Sequence, residues 1–337
     1  MGVFKNLVVL ATPGSFNGWI GSALQSMLAH SGLLREHRFG ASDASYQSFS
    51  LTSPESQGRI EVTLVTSVEP NLIEELRTGF TYIIIVDEPL PSAAAALAAE
   101  GVCSAHQATR AVMHAKALYW DLLRSERAHT NAPDYYALQK RADALHWLET
   151  LASTLDAKVA AAATSPTGPC RAALASIKQD LQKALGCAPL PSSPLIRGNM
   201  LWGEGLSIEL DPSYCVLGDN PTTSIGECVD VTGPARILTG GPYVFLPRGV
   251  VHAHLAFEVS AELDQEPFRL SVYSGSTELR SSDFVVDALS PMCLRFLFEN
   301  PCPHSPVDVH LLSLKGQIDG RLALRSIGFT ERLLSEA

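Results

Sequence analysis

The proline cluster Ala188-Pro-Leu-Pro-Ser-Ser-Pro194 divides the 337-residue chain. Three prolines in seven residues cannot continue a helix, because each lacks an N–H and clashes with the preceding turn. The hydrophobic period changes across it. From Ser104 to about Leu185 apolar residues recur every three or four positions, with breaks at Asn131-Ala-Pro133 and Ser165-Pro-Thr-Gly-Pro169. Beyond residue 200, short β-branched and aromatic runs are separated by turn signals. Periods of 3.6 and 2 belong to different elements. The chain therefore reads as a 1–186 domain, a 187–199 linker and a 200–337 domain, a length typical of two domains of ~100–200 residues each.

The first hundred residues alternate strand and helix signals. Phe4–Ala11 reads as a strand around the continuous apolar run Leu7–Ala11, as expected of a strand buried on both faces of a parallel sheet. A turn follows, then an amphipathic run from Trp19 to about Leu34. Arg59–Ser67 and Thr81–Val86 read as further strands, Asn71–Thr78 and the Ala-rich Ser92–Glu100 as helices. Repeated β-α units of this length predict an α/β layer with a parallel sheet, and 104–185 a helical appendage to it.

A strand, a loop and a helix in that order direct helix N-terminal N–H groups at one point, where an anion is favoured. The loop is Thr12-Pro13-Gly14-Ser15-Phe16-Asn17-Gly18-Trp19, without the Gly-Lys-Ser/Thr ending of a Walker A motif. It resembles the phosphate loop of the 3′-phosphoadenosine-5′-phosphosulfate (PAPS) dependent sulfotransferases, Thr-(x)-Pro-Lys/Arg-Ser-Gly-(Ser/Thr)-Thr-Trp. Thr12, Pro13, Ser15 and Trp19 fall on that pattern without a gap. Downstream, Ile84-Ile85-Val86-Asp87-Glu88-Pro89-Leu90 occupies the place of the family's Val-Arg-Asp-Pro-Arg, which helps bind the 3′-phosphate. The resemblance covers about residues 4–100, extends plausibly to the helices before 185, and implies a P-loop fold with Thr12–Trp19 as the cofactor loop.

Departures from the pattern remove its charge. Gly14 stands where the family has Lys or Arg, and Phe16 where it has the glycine under the phosphate. Asp87 stands where an Arg grips the 3′-phosphate, and Leu90 at the second Arg. Group transfer of this kind rests on positioning and cationic stabilisation, and one lost stabilising group costs about 10²–10³ in rate. The expectation is a degenerate cofactor site that holds PAPS only if cations such as Arg110, Lys116, Arg124 and Arg127 replace those missing. The other reading of the same loop is a strand-to-helix turn of another Rossmann-like domain, with Ser15 or Asn17 as N-cap.

After the linker, nine runs read as strands: 207–210, 235–238, 243–246, 252–260, 268–273, 284–286, 293–298, 307–314 and 323–329. Their spacing predicts an all-β sandwich of jelly-roll type. Gly241, Pro247-Arg-Gly249 and His252 match the second motif of cupins. Side-chain alternation puts His252, His254 and Glu258 on one strand face, where they could ligate a divalent metal. Trp147–Val251 contains no histidine to supply the first motif, so a solvated face is the preferred reading. The segment Gly-Pro-Tyr-Val-x-Leu-Pro-x-Gly also resembles lectin-like or carbohydrate-binding sandwiches. That resemblance implies sugar binding on exposed aromatic rings, with Trp202, Tyr243 and Tyr273 as candidates beside Asp219 and Asn220.

The formal net charge is −10, and 1–100 holds 5 basic against 10 acidic residues, so nucleic-acid binding is not expected. No apolar run approaches the ~20 residues of a membrane span. The start lacks a signal-peptide core, and seven scattered cysteines without CxxC argue against a disulfide framework, so a cytoplasmic protein is expected. Three functions remain. The favoured one is a divergent, non-catalytic, glycan-related protein, as in bacterial surface-polysaccharide metabolism. The others are an active transferase on a glycan or nucleotide-sugar, with the loop holding an anionic cofactor, and a protein–protein scaffold.

Overall fold

Five strands before the linker pair in one sheet, and every pairing in it is parallel. They are β1 (Asn6–Ala11), β2 (Leu34–Gly40), β3 (Ile60–Val65), β4 (Thr81–Asp87) and β5 (Asp134–Ala137), in the order β2-β3-β1-β4-β5. The structure, a computed structural model, describes residues 6–14, 16–31, 34–40, 60–65, 81–126, 133–160, 168–186, 189–217 and 228–331. The expected helix Asn71–Thr78 lies outside them, as do Ser15, Asp219 and Asn220.

Two compact units emerge, Met1–Cys103 with Leu122–Ser192, and Ser104–Asp121 with Ser193–Ala337. In the first, β1 and β4 are buried on both faces. Leu7, Val9, Ile84 and Val86 join a core with α1 (Asn17–His30), α4 (Arg141–Ala160) and α5 (Pro169–Leu185), while Val8, Leu10, Ile83 and Ile85 on the alternate face are equally buried. The helix α2 (Leu90–Ala99) begins at Pro89 and carries a proline in its first turn, where a missing N–H costs nothing. Gly168 precedes Pro169 at the start of α5, and Gly186 closes it at φ +68°, a left-handed position that glycine adopts without a Cβ penalty. Asp134–Ala137, expected to be helical, is a strand: Tyr135 and Tyr136 suit a half-buried strand beside β4.

In the second unit two antiparallel sheets form a β-sandwich. One has the order β13-β12-β15-β10-β8, with β8 (Val216–Leu217), β10 (Ile237–Gly240), β12 (Pro267–Ser274), β13 (Thr277–Val285) and β15 (Val307–Ser313). The other has β14-β11-β16-β7-β6, with β6 (Ile196–Leu201), β7 (Gly205–Leu210), β11 (Gly249–Val259), β14 (Met292–Asn300) and β16 (Arg321–Glu331); β9 (Val229–Asp230) pairs β16. Alternation is regular: Val251, Ala253, Leu255 and Phe257 face the core opposite Val272, Val309 and Leu311 of the facing sheet's buried set. Tyr243–Leu246, expected to be a strand, makes only the bridge Val244–Val307, since Tyr243 has φ 55° and leaves the extended region.

Residues 104–121, expected within the first domain, group with the sandwich. They are the start of α3 (Ala105–Glu126), and side chains hold them there. Thr109 Oγ1 bonds the Tyr214 hydroxyl at 2.6 Å, the buried Lys116 Nζ donates to Met200 O at 2.9 Å, and Trp120 meets Trp202 edge-on at 5.6 Å. Among the described residues no helix is long and apolar enough to cross a membrane.

Candidate functional site

The loop after β1 lies at the carboxyl end of the central strand, between β3 and β4, where the chain has turned from one side of the sheet to the other. In open α/β sheets that position collects ligands. Here it is filled by the chain itself. The N-cap of α1 is Phe16, which has no side-chain oxygen to cap with, and its N–H donates to Glu88 Oε1 at 2.9 Å. Glu88 is 1% exposed, and its carboxyl group lies 2.8 Å from where a Cβ on Gly14 would stand. Neighbouring Asp87 is fully buried and accepts from Thr12 Oγ1 at 2.5 Å and the Tyr135 hydroxyl at 2.9 Å. A protein carboxylate therefore takes the position that an anionic ligand takes at a helix N-terminus.

Of the other described loop residues, Phe16 and Trp19 pack into the first unit. Pro13 is half-buried, Phe16 belongs to the core, Asn17 opens α1, and Gly18 is exposed in its first turn. Trp19 packs against the core and donates its indole N–H to Leu181 O at 3.1 Å. Sequence reasoning placed the acid at the second motif at Asp87, which reaches Thr12 at the start of the loop; the side chain that reaches Phe16 at the N-terminus of α1 is Glu88, one residue on.

In the sandwich, the outer face of the sheet β13-β12-β15-β10-β8 carries a line of rings. Phe268, Leu270 and Val272 point to the core, so Tyr273 points away, as do Asp308 and His310 on β15. The Tyr273 and His310 rings lie 4.9 Å apart, tilted by 42°. A Cβ on Gly240 would stand 3.4 Å from the His310 ring and 3.7 Å from the Tyr243 hydroxyl, so both lie over that bare backbone. Tyr273, His310 and Tyr243 thus cross three adjacent strands, roughly 10 Å at normal strand spacing. Asp308 ties the line together: it accepts from Gly241 N–H and from His310 Nε2, the latter at 2.5 Å, and a hydrogen bond joins it to Tyr243.

Polar groups border the rings. The Tyr273 hydroxyl donates to Glu278 Oε2 at 3.1 Å, and Ser281 Oγ donates to Glu278 Oε1 at 2.7 Å. Burial, reinforced by Glu278, raises the Tyr273 pKa; burial, then Asp308, raises that of Tyr243, so both phenols stay protonated donors at neutral pH. Tyr243 is 39% exposed and held at positive φ, an unusual backbone for a side chain of that size. Arg110 of α3 holds it, donating Nε to Pro242 O at 3.1 Å with the guanidinium carbon 5.6 Å from the ring centre. Exposed Val216 and Ile237 continue the same sheet as an apolar margin.

Of the three aromatic candidates the structure brings Tyr243 and Tyr273 to one face, while Trp202 sits at the β6–β7 turn against Trp120. The proposed ligand trio is not assembled. Glu258 pairs with Arg325 at 2.5 Å, and the His254 ring lies on Gly328, where a Cβ would meet it at 2.0 Å. Burial lowers the His254 pKa, with Glu209 opposing and Arg295 adding to that shift, and His252 stands half-buried on the same strand. Among the described residues no three His, Cys, Asp or Glu cluster as metal ligands do. Sequence reasoning missed Asp308 and His310; the signal was their i, i+2 spacing in an otherwise apolar strand.

No protein-family model and no curated protein matches the chain. Solved structures similar to it include the "xylan-binding module CBM15", at 15% identity and TM-score 0.28, covering 40% of this chain and 99% of that one. The C-terminal CBM6 of LamC, a marine laminarinase from Zobellia galactanivorans, is 12% identical with a TM-score of 0.26, covering 37% and 99%. TmCBM61, solved with β-1,4-galactotriose, is 14% identical with a TM-score of 0.24, covering 41% and 87%.

Proposed function

We propose that the sandwich binds a glycan along Tyr273, His310 and Tyr243, and that the α/β unit is a divergent, non-catalytic relative of the sulfotransferase-like P-loop fold. The observation that carries the first part is the ring line itself: two phenols and an imidazole at one outer sheet face, held by Asp308 and bordered by Glu278. Sugar rings offer an apolar face to stack on aromatic rings and peripheral hydroxyls to bond carboxylates and phenols. A strip crossing three strands has the length of a disaccharide. The second part rests on Glu88, which occupies the anion position over Gly14. The parallel sheet and its loop position suit the fold, and the missing cations remove the chemistry.

The test is a glycan array followed by calorimetric titration of the strongest ligand, with xylan, laminarin and β-1,4-galactan among the probes. Tyr243→Ala and Tyr273→Ala are each expected to weaken binding five- to thirty-fold, as the loss of about 1–2 kcal/mol of stacking requires. Absence of binding to every glycan at millimolar ligand overturns the reading.

A further inference from the structure

One face of α3 stands on the sandwich through three imidazoles. His106, Arg110 and His114 recur every four residues, which places them on one side of the helix. His106 meets the Tyr214 ring at 4.5 Å and shares a 3.0 Å hydrogen bond with Ser213 Oγ. His114 stacks on Phe245 at 4.1 Å, and the His304 ring lies 6.4 Å away at 88°. His114 Nε2 and His304 Nδ1 are both buried without a hydrogen-bond partner. A neutral imidazole tolerates such surroundings, whereas an imidazolium there bears the full cost of desolvation.

At His106 and His304 charged neighbours act in both directions, so burial decides the sign. Around His106 stand Arg110 and, opposing it, Asp211; among the described residues the titratable group beside His114 is His304; and around His304 stand Arg248 and Asp121, themselves paired at 3.0 Å. Burial is the leading cause of a lowered pKa at all three histidines. Docking of the helix therefore has its full strength above about pH 6.5, the free imidazole value, and loses it as pH falls from there through the lowered docked values.

We propose that acidification releases residues 104–121 from the sandwich and thereby loosens Tyr243 in the glycan-binding strip. Arg110 is the link, since it bonds Pro242 O and covers the Tyr243 ring. This regulation rests on the glycan reading only in its consequence, because the release itself is measured without any glycan. A residue kept at positive φ by its surroundings loses its preset geometry when they leave, and preset geometry is what lowers the cost of binding.

Hydrogen exchange of the full chain at pH 7.5 and 5.0, referenced to the unstructured rate at each pH, tests it. One histidine that is neutral when docked and free when released raises opening up to about thirty-fold over that interval. Amides of 105–121 and of 240–246 are expected to lose protection at least about tenfold at pH 5.0 while β11 and β16 keep theirs. The His106→Gln, His114→Gln, His304→Gln triple variant should cut the loss to less than about threefold, whereas His254→Gln should leave it intact. Unchanged protection of 105–121, or simultaneous loss throughout the sandwich, overturns the proposal. If release occurs but no glycan binds at pH 7.5, the switch stands and the glycan reading fails. If glycan binds equally at both pH values with 105–121 still protected, the switch fails and the glycan reading stands.

Discussion

Removing the carboxylate that fills the β1–α1 loop should destabilise the α/β unit and make it responsive to phosphate. In Glu88→Ala, the buried Phe16 N–H loses its acceptor at 2.9 Å. A hydrogen bond to a charged group contributes about 1.5–3 kcal/mol, and an anion at a helix N-terminus about 0.3–1 kcal/mol more. Relief of the like charge on adjacent Asp87 works the other way, so a net loss of about 1–3 kcal/mol is expected. For a unit of this size that lowers its melting temperature by about 2–12 °C. Phosphate that enters the space over Gly14 should return up to about 2.7 kcal/mol at one hundred times its dissociation constant. Scanning calorimetry in phosphate and in chloride of equal ionic strength reads both effects. Because phosphate stabilises proteins generally by exclusion, the informative quantity is the variant's gain beyond that of the unmodified chain. Glu88→Gln, which keeps an acceptor for Phe16, should lose only about 1 kcal/mol. Equal phosphate gains in both proteins, or an alanine variant as stable as the parent in chloride, would refute the idea that Glu88 is the loop's own anion.

Asp156→Ala should cost about 2–3 kcal/mol by denaturant titration, because its buried carboxylate caps α5 through Cys170 N and Arg171 N at 2.8 and 3.0 Å; a loss below about 0.5 kcal/mol would contradict that role. Gly328→Ala should cost about 1–3 kcal/mol, since its Cβ would meet the His254 ring at 2.0 Å and Ile208 O at 2.7 Å. Adding His254→Ala should recover only part of this, because the Ile208 oxygen is backbone. The Cys170 thiol is pushed up to about 12, chiefly by burial, so at pH 8 it stays protonated; iodoacetamide followed by mass spectrometry should label exposed Cys228 and Cys293 far sooner.

Several elements were legible because their signal is local. Phe4–Ala11 read as a strand buried on both faces and Thr81–Val86 as a further strand, and Leu7–Leu10 and Ile83–Val86 are buried on both faces, since a run without polar interruption has no face left for solvent. The sandwich strands β11, β12, β14, β15 and β16 read correctly from alternation and turns. Asp134–Ala137 did not, because its four residues become a strand only by pairing with β4, a partner some fifty positions earlier. The same holds for β2, which pairs with β3 across the 41–59 interval.

The sequence by itself determined that a helix-rich α/β region precedes a β-rich one, that the loop after β1 has no cation, and that Trp202, Tyr243 and Tyr273 are candidates for sugar platforms. Periodicity and charge are properties of neighbours along the chain, so they need no fold to be read. Tertiary structure alone decided that Glu88 reaches the loop, that residues 104–121 group with the sandwich, and that Asp308 and His310 join Tyr273 of β12 to Tyr243 of the segment after β10. Each is a meeting of side chains far apart in sequence, fixed by strand register and core packing, which no local pattern encodes.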